Sequence, residues 1–336
     1  DIVKYFLMKI AIVKLSALGD IIHTMIALQF IKNYYPDSKI DWFVDEQYKG
    51  VLEHNPYIRE IHTVNFKKAK KEKSILLILK ELKKVRALGE YDLVVDAQGL
   101  IKSAIVTRMI SAKKYIGFGK KSIREPLASI FYNQKVSISY DENTIDRNIK
   151  VICHPLNIKV ENNEIIDKHP FIFCASKNQS ITKPYIIFVI GSTWESRNYP
   201  KEKFVEVARK LNKKCIVIWG NSKEKEKAEW MEQQSSLIEV SQELNIDELK
   251  QLINNSILVI GNDTGPSHLA WGMNRPSIIL FGPTPVNRVY QTHINRVLKS
   301  SSKVNHFALD KNDFSIREIK VEHIVKISQE LMKVNL

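Results

Sequence analysis

Long hydrophobic runs are missing from this 336-residue chain. Its apolar stretches, such as residues 75–79 and 185–190, fall far short of the roughly 18 to 20 residues that a membrane-spanning helix needs, which predicts a soluble protein. Cysteine is scarce. Cys153, Cys174 and Cys215 are widely spaced with no C-x-x-C pair, so neither a disulfide framework nor a zinc site is indicated, and a reducing cytoplasm fits. Residues 1–7 lack the basic start, long apolar core and small-residue cleavage site of a secretory signal. Met8 opens MKIAIVK as a natural start would, so the seven residues before it are expected to be an upstream extension. Acid is in short supply against base, 37 Asp and Glu to 51 Lys and Arg, a net charge of +14, and such a field favours anionic partners without naming one.

What is present is an ordinary globular composition, 44% hydrophobic and 26% charged, in a chain long enough for two domains. Strand candidates at 9–14, 40–44, 60–64, 91–97 and 114–118 alternate with helical stretches such as 21–33 and 74–88. That alternation predicts a doubly wound parallel sheet. Residues 159–184 carry Asn, Lys, Pro and Ser with little periodicity and read as a linker. A second set then begins: strands at 185–190, 214–219, 237–240, 257–260 and 277–281, with helices near 201–212, 222–234, 246–254 and 266–273. The predicted boundaries are 8–165 and 180–315. A last helix at 316–335 is expected, by analogy of architecture, to pack back on the first domain.

Residues 256–285, SILVIGNDTGPSHLAWGMNRPSIILFGPTP, hold the densest chemistry. An apolar strand ends in Gly261, Asn262, Asp263, Thr264 and Gly265, and Pro266 suits the first turn of a helix. A helix N-terminus beyond the carboxyl end of a parallel strand offers unpaired N–H groups and a positive dipole end to an anion such as a diphosphate. Thr264 and Gly265 let the backbone approach it, and His268 is expected to point to the same pocket. The bland reading makes Asp263 and Thr264 helix caps. After the strand at 185–190, GSTWESRNYP supplies Ser192, Thr193 and Arg197 as phosphate ligands.

In the first half, KIAIVK is followed by LSALGD and a helix. A dinucleotide fold would want G-x-G-x-x-G here, but only Gly19 is present, against a nicotinamide or flavin enzyme. Asp20 sits where its side chain either caps the helix or projects into the crevice, with Lys14, Ser16 and His23 as neighbours. Gln98 and Gly99 end a strand, so Lys102 falls in the first turn of the next helix, near the same crevice. Two basic clusters follow: Lys67, Lys68, Lys70, Lys71, Lys73, Lys80, Lys83, Lys84 and Arg86, then 113–124, closed by Arg124. Each is either a solvated face or an anionic-partner surface.

GNDTGPSHLA resembles the Asp-(Ser/Thr)-Gly-x-x-His signature of the ADP-heptose:lipopolysaccharide heptosyltransferases, and KLSALGDIIHT is similar to that family's N-terminal motif. The likeness runs from Met8 across nearly the whole chain. It implies a GT-B type α/β fold, with two Rossmann-like domains whose parallel sheets face a central cleft. The first domain would bind the acceptor and the second the nucleotide sugar. Asp20 takes the role of general base by this resemblance. Ser192, Thr193, Arg197, Asp263, Thr264, Gly265 and His268 would hold the ADP diphosphate, and Glu224 the ribose, since a carboxylate accepts from both hydroxyls. Relatives often carry Thr and Lys where this chain has Ser192 and Arg197. DAQGLIKSA and REPLASIFYN are similar to segments of the type that adds the first heptose rather than the second. They make Lys14, Ser16, Gln98, Lys102 and Arg124 candidates for binding the Kdo sugars of Kdo-lipid A, whose carboxylates suit cations. For Gln98 the alternative is a buried structural role.

The implied reaction is a single displacement with inversion, in which charge develops on the leaving diphosphate. No D-x-D triplet occurs, so no metal or other cofactor is expected. The expected place is the cytoplasmic face of a Gram-negative inner membrane, peripherally on its anionic leaflet. No nucleic-acid partner is expected, because no binding motif or basic-aromatic interleaving accompanies the charge. The type that adds the second heptose remains the alternative within the family, and a basic nucleic-acid-binding protein and a nucleotide-sugar sensor without turnover remain the competing classes.

Overall fold

Each half of the chain builds its own six-stranded parallel sheet. The computed structural model describes residues 7–65, 75–175, 184–305 and 308–334. It divides into two units, Asp1–Phe171 and Ile172–Leu336. In the first, β1 (Lys9–Val13), β2 (Lys39–Asp45), β3 (Glu60–Val64), β4 (Glu90–Asp96), β5 (Ser111–Phe118) and β6 (Gln134–Val136) lie in the order β3-β2-β1-β4-β5-β6, every pair parallel. In the second, β7 (Tyr185–Val189), β8 (Lys214–Ile218), β9 (Ile238–Val240), β10 (Leu258–Asn262), β11 (Ser277–Phe281) and β12 (Asn295–Lys299) run β12-β11-β10-β7-β8-β9, again all parallel. Counted from each unit's own first strand, both orders are 3-2-1-4-5-6, the doubly wound arrangement.

The connecting helices of the first unit are α1 (Leu18–Met25), α2 (Ala27–Tyr34), α3 (Lys49–Leu52), α4 (Ile75–Arg86), α5 (Ile101–Met109), α6 (Thr144–Cys153) and α7 (Asn162–Ile166). Those of the second are α8 (Lys201–Leu211), α9 (Ser222–Gln234), α10 (Ile246–Asn255), α11 (Gly265–Gly272) and α12 (Val321–Val334). Helices on both faces of a sheet bury its central strands completely, so those strands need unbroken apolar runs rather than alternation. IIFV of β7, LVI of β10 and IILF of β11 are such runs, and all their residues are buried. No described helix is long and apolar enough to cross a membrane.

Two expectations are corrected, and two strands were missed. The edge strands β6 and β12 were not foreseen, because QKV and NRVLK have the polar composition of strands that face solvent along one side. The single helix expected at 21–33 is two, meeting at Ile26. The units divide at 171/172, within the stretch 159–184 read as the linker, so that reading needs no correction. The terminal helix, expected on the first domain, packs along α8, and its Ile324 and Leu331 join Phe188, Phe204 and Ile278 in the core of the second unit. The basic residues Lys67, Lys68, Lys70, Lys71 and Lys73 lie outside the described residues, while Lys80, Lys83, Lys84 and Arg86 are exposed on α4.

Candidate active site

In a 3-2-1-4 order the connections leaving the first and fourth strands diverge, opening a crevice beyond their carboxyl ends. Each unit therefore has one such point, at β1/β4 and at β7/β10. The candidate residues collect at these two points.

At β1/β4 the two strand ends are tied together by side chains. The Gln98 Oε1 accepts from the amides of Leu15 at 2.7 Å and Ser16 at 3.1 Å, and its Nε2 donates to the Ser16 hydroxyl at 3.2 Å. Lys14 is turned inward, 7% exposed, donating to the carbonyl of Ala97 at 2.8 Å. Burial lowers its pKa, with Asp20 and Asp96 opposing. Asp96, buried, accepts from the amides of Gln98 and Gly99 and from the Tyr132 hydroxyl at 2.7 Å. Its pKa is raised, because burial outweighs those donors. Gly99 has φ +71°, and a Cβ there would sit 2.5 Å from Ile123 Cγ2, so only glycine closes this turn.

Lys102, in the first turn of α5 and exposed, donates to the Ser16 hydroxyl at 3.1 Å. Asp20 stands at the third position of α1, partly exposed, and its carboxylate accepts from the amide of Ala17 at a long 3.4 Å. Arg124 is exposed. Of the five residues assigned to the acceptor, Lys14 and Gln98 are thus spent on shaping the β1–α1 loop. That is the bland alternative for Gln98. Lys102 and Arg124 keep cationic ends in solvent, with Ser16 between the loop and Lys102. Asp96 and Tyr132 were missed; a buried acid at a strand end leaves no mark that distinguishes it from a cap.

At β7/β10 the hub is Asp263, 2% exposed. It accepts from Arg197 at 2.8 Å, from the Thr284 hydroxyl at 3.0 Å, and pairs with His268 Nε2 at 3.0 Å. Arg197 also donates to the Asp263 carbonyl. Burial by itself would raise the Asp263 pKa, yet His268, Arg197 and Arg288 together hold the carboxyl below the ordinary carboxylate range. Asn262 joins the two strand ends, donating to the carbonyl of Ile190 at 2.8 Å and accepting from the amide of Tyr199 at 3.0 Å.

Thr264 occupies the N-cap position of α11, but its side chain makes no capping bond. The capping role therefore does not use up its hydroxyl. Arg197 Nε and Ser192 Oγ are buried with no hydrogen-bond partner among the described residues. A buried donor without a partner costs about 1–3 kcal/mol, so two of them beside an open strand end point to a ligand that accepts from both.

A cavity of about 400 Å³ opens here, lined by Gly191, Ser192, Thr193, Trp219, Glu224, Leu244, Leu249 and Thr264, among others. Of the residues predicted for the donor, Ser192, Thr193, Glu224 and Thr264 face it. Arg197, Asp263, Gly265 and His268 do not line it; His268 and Arg197 are both held on the Asp263 carboxylate. Glu224 accepts from the amide of Gly220 at 2.8 Å. Gly191 leaves room for it, since a Cβ there would lie 2.1 Å from Glu224 Oε1. Trp219 is fixed by its indole N–H on the carbonyl of Ser241 at 2.8 Å. The apolar wall of Leu244 and Leu249 was missed, because single leucines in QELNIDELKQL read only as helix core.

One further group can be set aside. Asp41, Glu60 and His62 place ligand atoms within 4.8 Å of one another. Asp41 is already taken by Arg59 and by the Tyr91 hydroxyl at 2.6 Å, away from either crevice, which makes it a structural ion pair.

The profile of glycosyltransferase family 9 (heptosyltransferase) matches residues 78–312. A lipopolysaccharide heptosyltransferase 1 of Campylobacter coli is 37% identical over 96% of this chain and 99% of its own length. The chain belongs to glycosyltransferase family 9. It is a heptosyltransferase of lipopolysaccharide core synthesis. The Salmonella typhimurium lipopolysaccharide heptosyltransferase 1 is 29% identical over 82% of this chain and 89% of its own. In fold, the Escherichia coli heptosyltransferase WaaC with ADP superposes with a TM-score of 0.80 at 24% identity, covering 96% of this chain and all of that one. The E. coli heptosyltransferase II superposes at 0.71 and 19% identity over 98% and 99%. The α/β, GT-B type fold expected of this family 9 enzyme is the one found.

Proposed function

We propose that this family 9 enzyme moves L-glycero-D-manno-heptose from ADP-heptose to a Kdo residue of Kdo-lipid A, with inversion, as the type that adds the first heptose. The observation that carries the reading is the chemical division of the β7/β10 cavity. Leu244, Leu249 and Trp219 offer a base an apolar wall, Glu224 offers a ribose an acceptor, and Ser192, Thr193 and Thr264 offer hydroxyl donors, while Arg197, held on the neighbouring Asp263, has its Nε left over. A nucleoside diphosphate has those three parts in that order. The WaaC structures described with ADP and with an ADP-heptose analogue support the same assignment.

Chemistry then follows from charge. As the glycosidic bond to the diphosphate breaks, negative charge grows on the departing phosphate, where preorganised N–H groups and a cation stabilise it more than they did the ground state. The amides at the start of α11 and Arg197 serve that end. The acceptor hydroxyl must lose its proton, and Asp20, a partly exposed carboxylate at the β1/β4 point, is the base. Lys102 and Arg124 meet the acceptor's carboxylates. No metal or other cofactor takes part in this reading, and the enzyme works peripherally on the anionic cytoplasmic leaflet of the inner membrane, where a lipid-anchored acceptor is found.

The test is ADP release by the purified protein with ADP-heptose and Kdo-lipid A, with and without a heptose already attached. Release on the heptose-free acceptor alone is expected. Release only on the heptosylated acceptor would make it the type that adds the second heptose. ADP binding without release on either would return it to a sensor.

A further inference from the structure

Apolar side chains left in solvent are concentrated on one part of the first unit. Eight large ones are exposed among the described residues, and four of them, Ile101, Ile105, Leu127 and Ile130, belong to α5 and the 3-10 turn Pro126–Phe131. These two segments pack against each other. Leu127 at 65% and Ile130 at 70% are the most exposed of all eight.

Local geometry explains why they share a face. Residues three apart in a 3-10 helix eclipse one another, so Leu127 and Ile130 project together while Ala128 and Ser129 are buried between them. On α5, Ile101 and Ile105 are one turn apart and outward, with Ser103, Ala104, Val106 and Thr107 facing in. Exposed cations lie on the same segments: Lys102 and Arg108 on α5, and Lys120, Lys121 and Arg124 on the approach to the turn. Glu125, the acid in the stretch, is bent back to accept from the amide of Ile101 at 2.7 Å.

A soluble surface gains nothing by holding leucine and isoleucine in water on segments rich in exposed lysine and arginine. An interfacial protein does, because apolar side chains enter the acyl boundary while cations meet anionic headgroups. We propose that Leu127, Ile130, Ile101 and Ile105 form an insertion face for an anionic lipid bilayer, with Lys120, Lys121 and Arg108 on the headgroups. This deepens the peripheral-membrane part of the function proposed above and places the attachment on α5 and the turn, beside Lys102 and Arg124. The charge complementarity chooses a bilayer over a second copy of this chain, which carries the same positive excess.

The experiment uses the full chain and sedimentation with phosphatidylcholine vesicles, with and without phosphatidylglycerol. Leu127→Gln combined with Ile130→Gln should weaken partitioning to the anionic vesicles about tenfold or more, at low and high salt alike, since burial of apolar groups is not screened. Lys120→Gln combined with Lys121→Gln should weaken it at low salt, the difference closing as salt is added. Neither pair should change the melting temperature or ADP release with a soluble, deacylated acceptor. Wild-type partitioning by the Leu127/Ile130 variant, equal binding of wild type to neutral vesicles, or a variant that only turns a dimer into a monomer would each overturn the proposal. Absence of ADP release with vesicle binding intact would instead count against the transfer reading alone.

Discussion

Arg197 reaches Asp263 twice, through the carboxylate at 2.8 Å and through the backbone carbonyl, and so is held from behind with its Nε left over. The sequence separation of 66 residues is closed by the adjacency of β7 and β10. A cation fixed in this way loses little further entropy on meeting an anion.

Asp263→Asn should therefore act on both stability and binding. Removing one charge of a buried pair costs about 3–5 kcal/mol in general, and one of the two oxygens, which His268 holds on one side and Thr284 and Arg197 on the other, becomes an NH2 that cannot accept. Its partners hold Asp263 below the unfolded-state pKa near 3.9. Its contribution is complete at neutral pH, fades as pH falls below about 4, and is lost once pH passes the folded-state value. Thermal melts at neutral and acid pH should show a variant that is less stable at pH 7 and closer to wild type in acid. A constant gap across pH would show that charge is not what Asp263 supplies.

Gly191 and Glu224 predict a non-additive pair. The methyl group of Gly191→Ala would lie 2.1 Å from Glu224 Oε1, and a carboxylate at the end of a flexible side chain yields more readily than a strand. The substitution should leave the fold intact and displace Glu224, weakening ADP about tenfold, as Glu224→Ala itself is expected to do. In the Glu224→Ala background the added methyl should cost little more. Full additivity in calorimetric titrations of ADP would separate the two residues.

Asp20→Ala is expected to fold, to bind ADP as wild type does, and to lose about 10²–10⁴ in turnover, the usual worth of a general base. ADP release under saturating donor measures it. Retention of near-wild-type turnover would move the base elsewhere at the β1/β4 point.

Lys102→Ala, by contrast, should raise the acceptor KM and leave ADP affinity alone, because it lies in the first unit at 3.1 Å from the Ser16 hydroxyl. Arg124→Ala should do the same, with Lys restoring part of the effect through charge but not through two-pronged geometry. An unchanged acceptor KM would leave both as surface cations.

How much of this was legible follows from what each signal is made of. Fully buried parallel strands must be continuous apolar runs, so β1, β7, β10 and β11 stand out from the letters alone, and with them the loops that hold Asp20, Ser192 and Thr264. β6 and β12 sit at sheet edges, where polar residues are tolerated, and left no such trace. Side-chain direction is the other blind spot. A glutamine two residues past a strand reads alike whether it faces ligand or loop. Gln98 turned to the loop, and His268 turned to Asp263. Leu244 and Leu249 could not be told from helix core until β8 and α9 placed Trp219 and Glu224 opposite them.

Gln98 provides a last test, because its role separates shape from contact. Gln98→Met keeps the volume but strips acceptors from the amides of Leu15 and Ser16, and Leu15 is 1% exposed. An unmet buried donor costs about 1–3 kcal/mol. The melting temperature should fall and turnover should drop as the loop leading to Asp20 loosens, while ADP affinity, set in the other unit, holds. Gln98→Glu retains an acceptor oxygen for the two amides and should recover most of the stability. If Gln98→Met melts as wild type does and changes only the acceptor KM, then Gln98 touches the acceptor as the family resemblance implied, and the loop is held by Lys14 and the strand register instead.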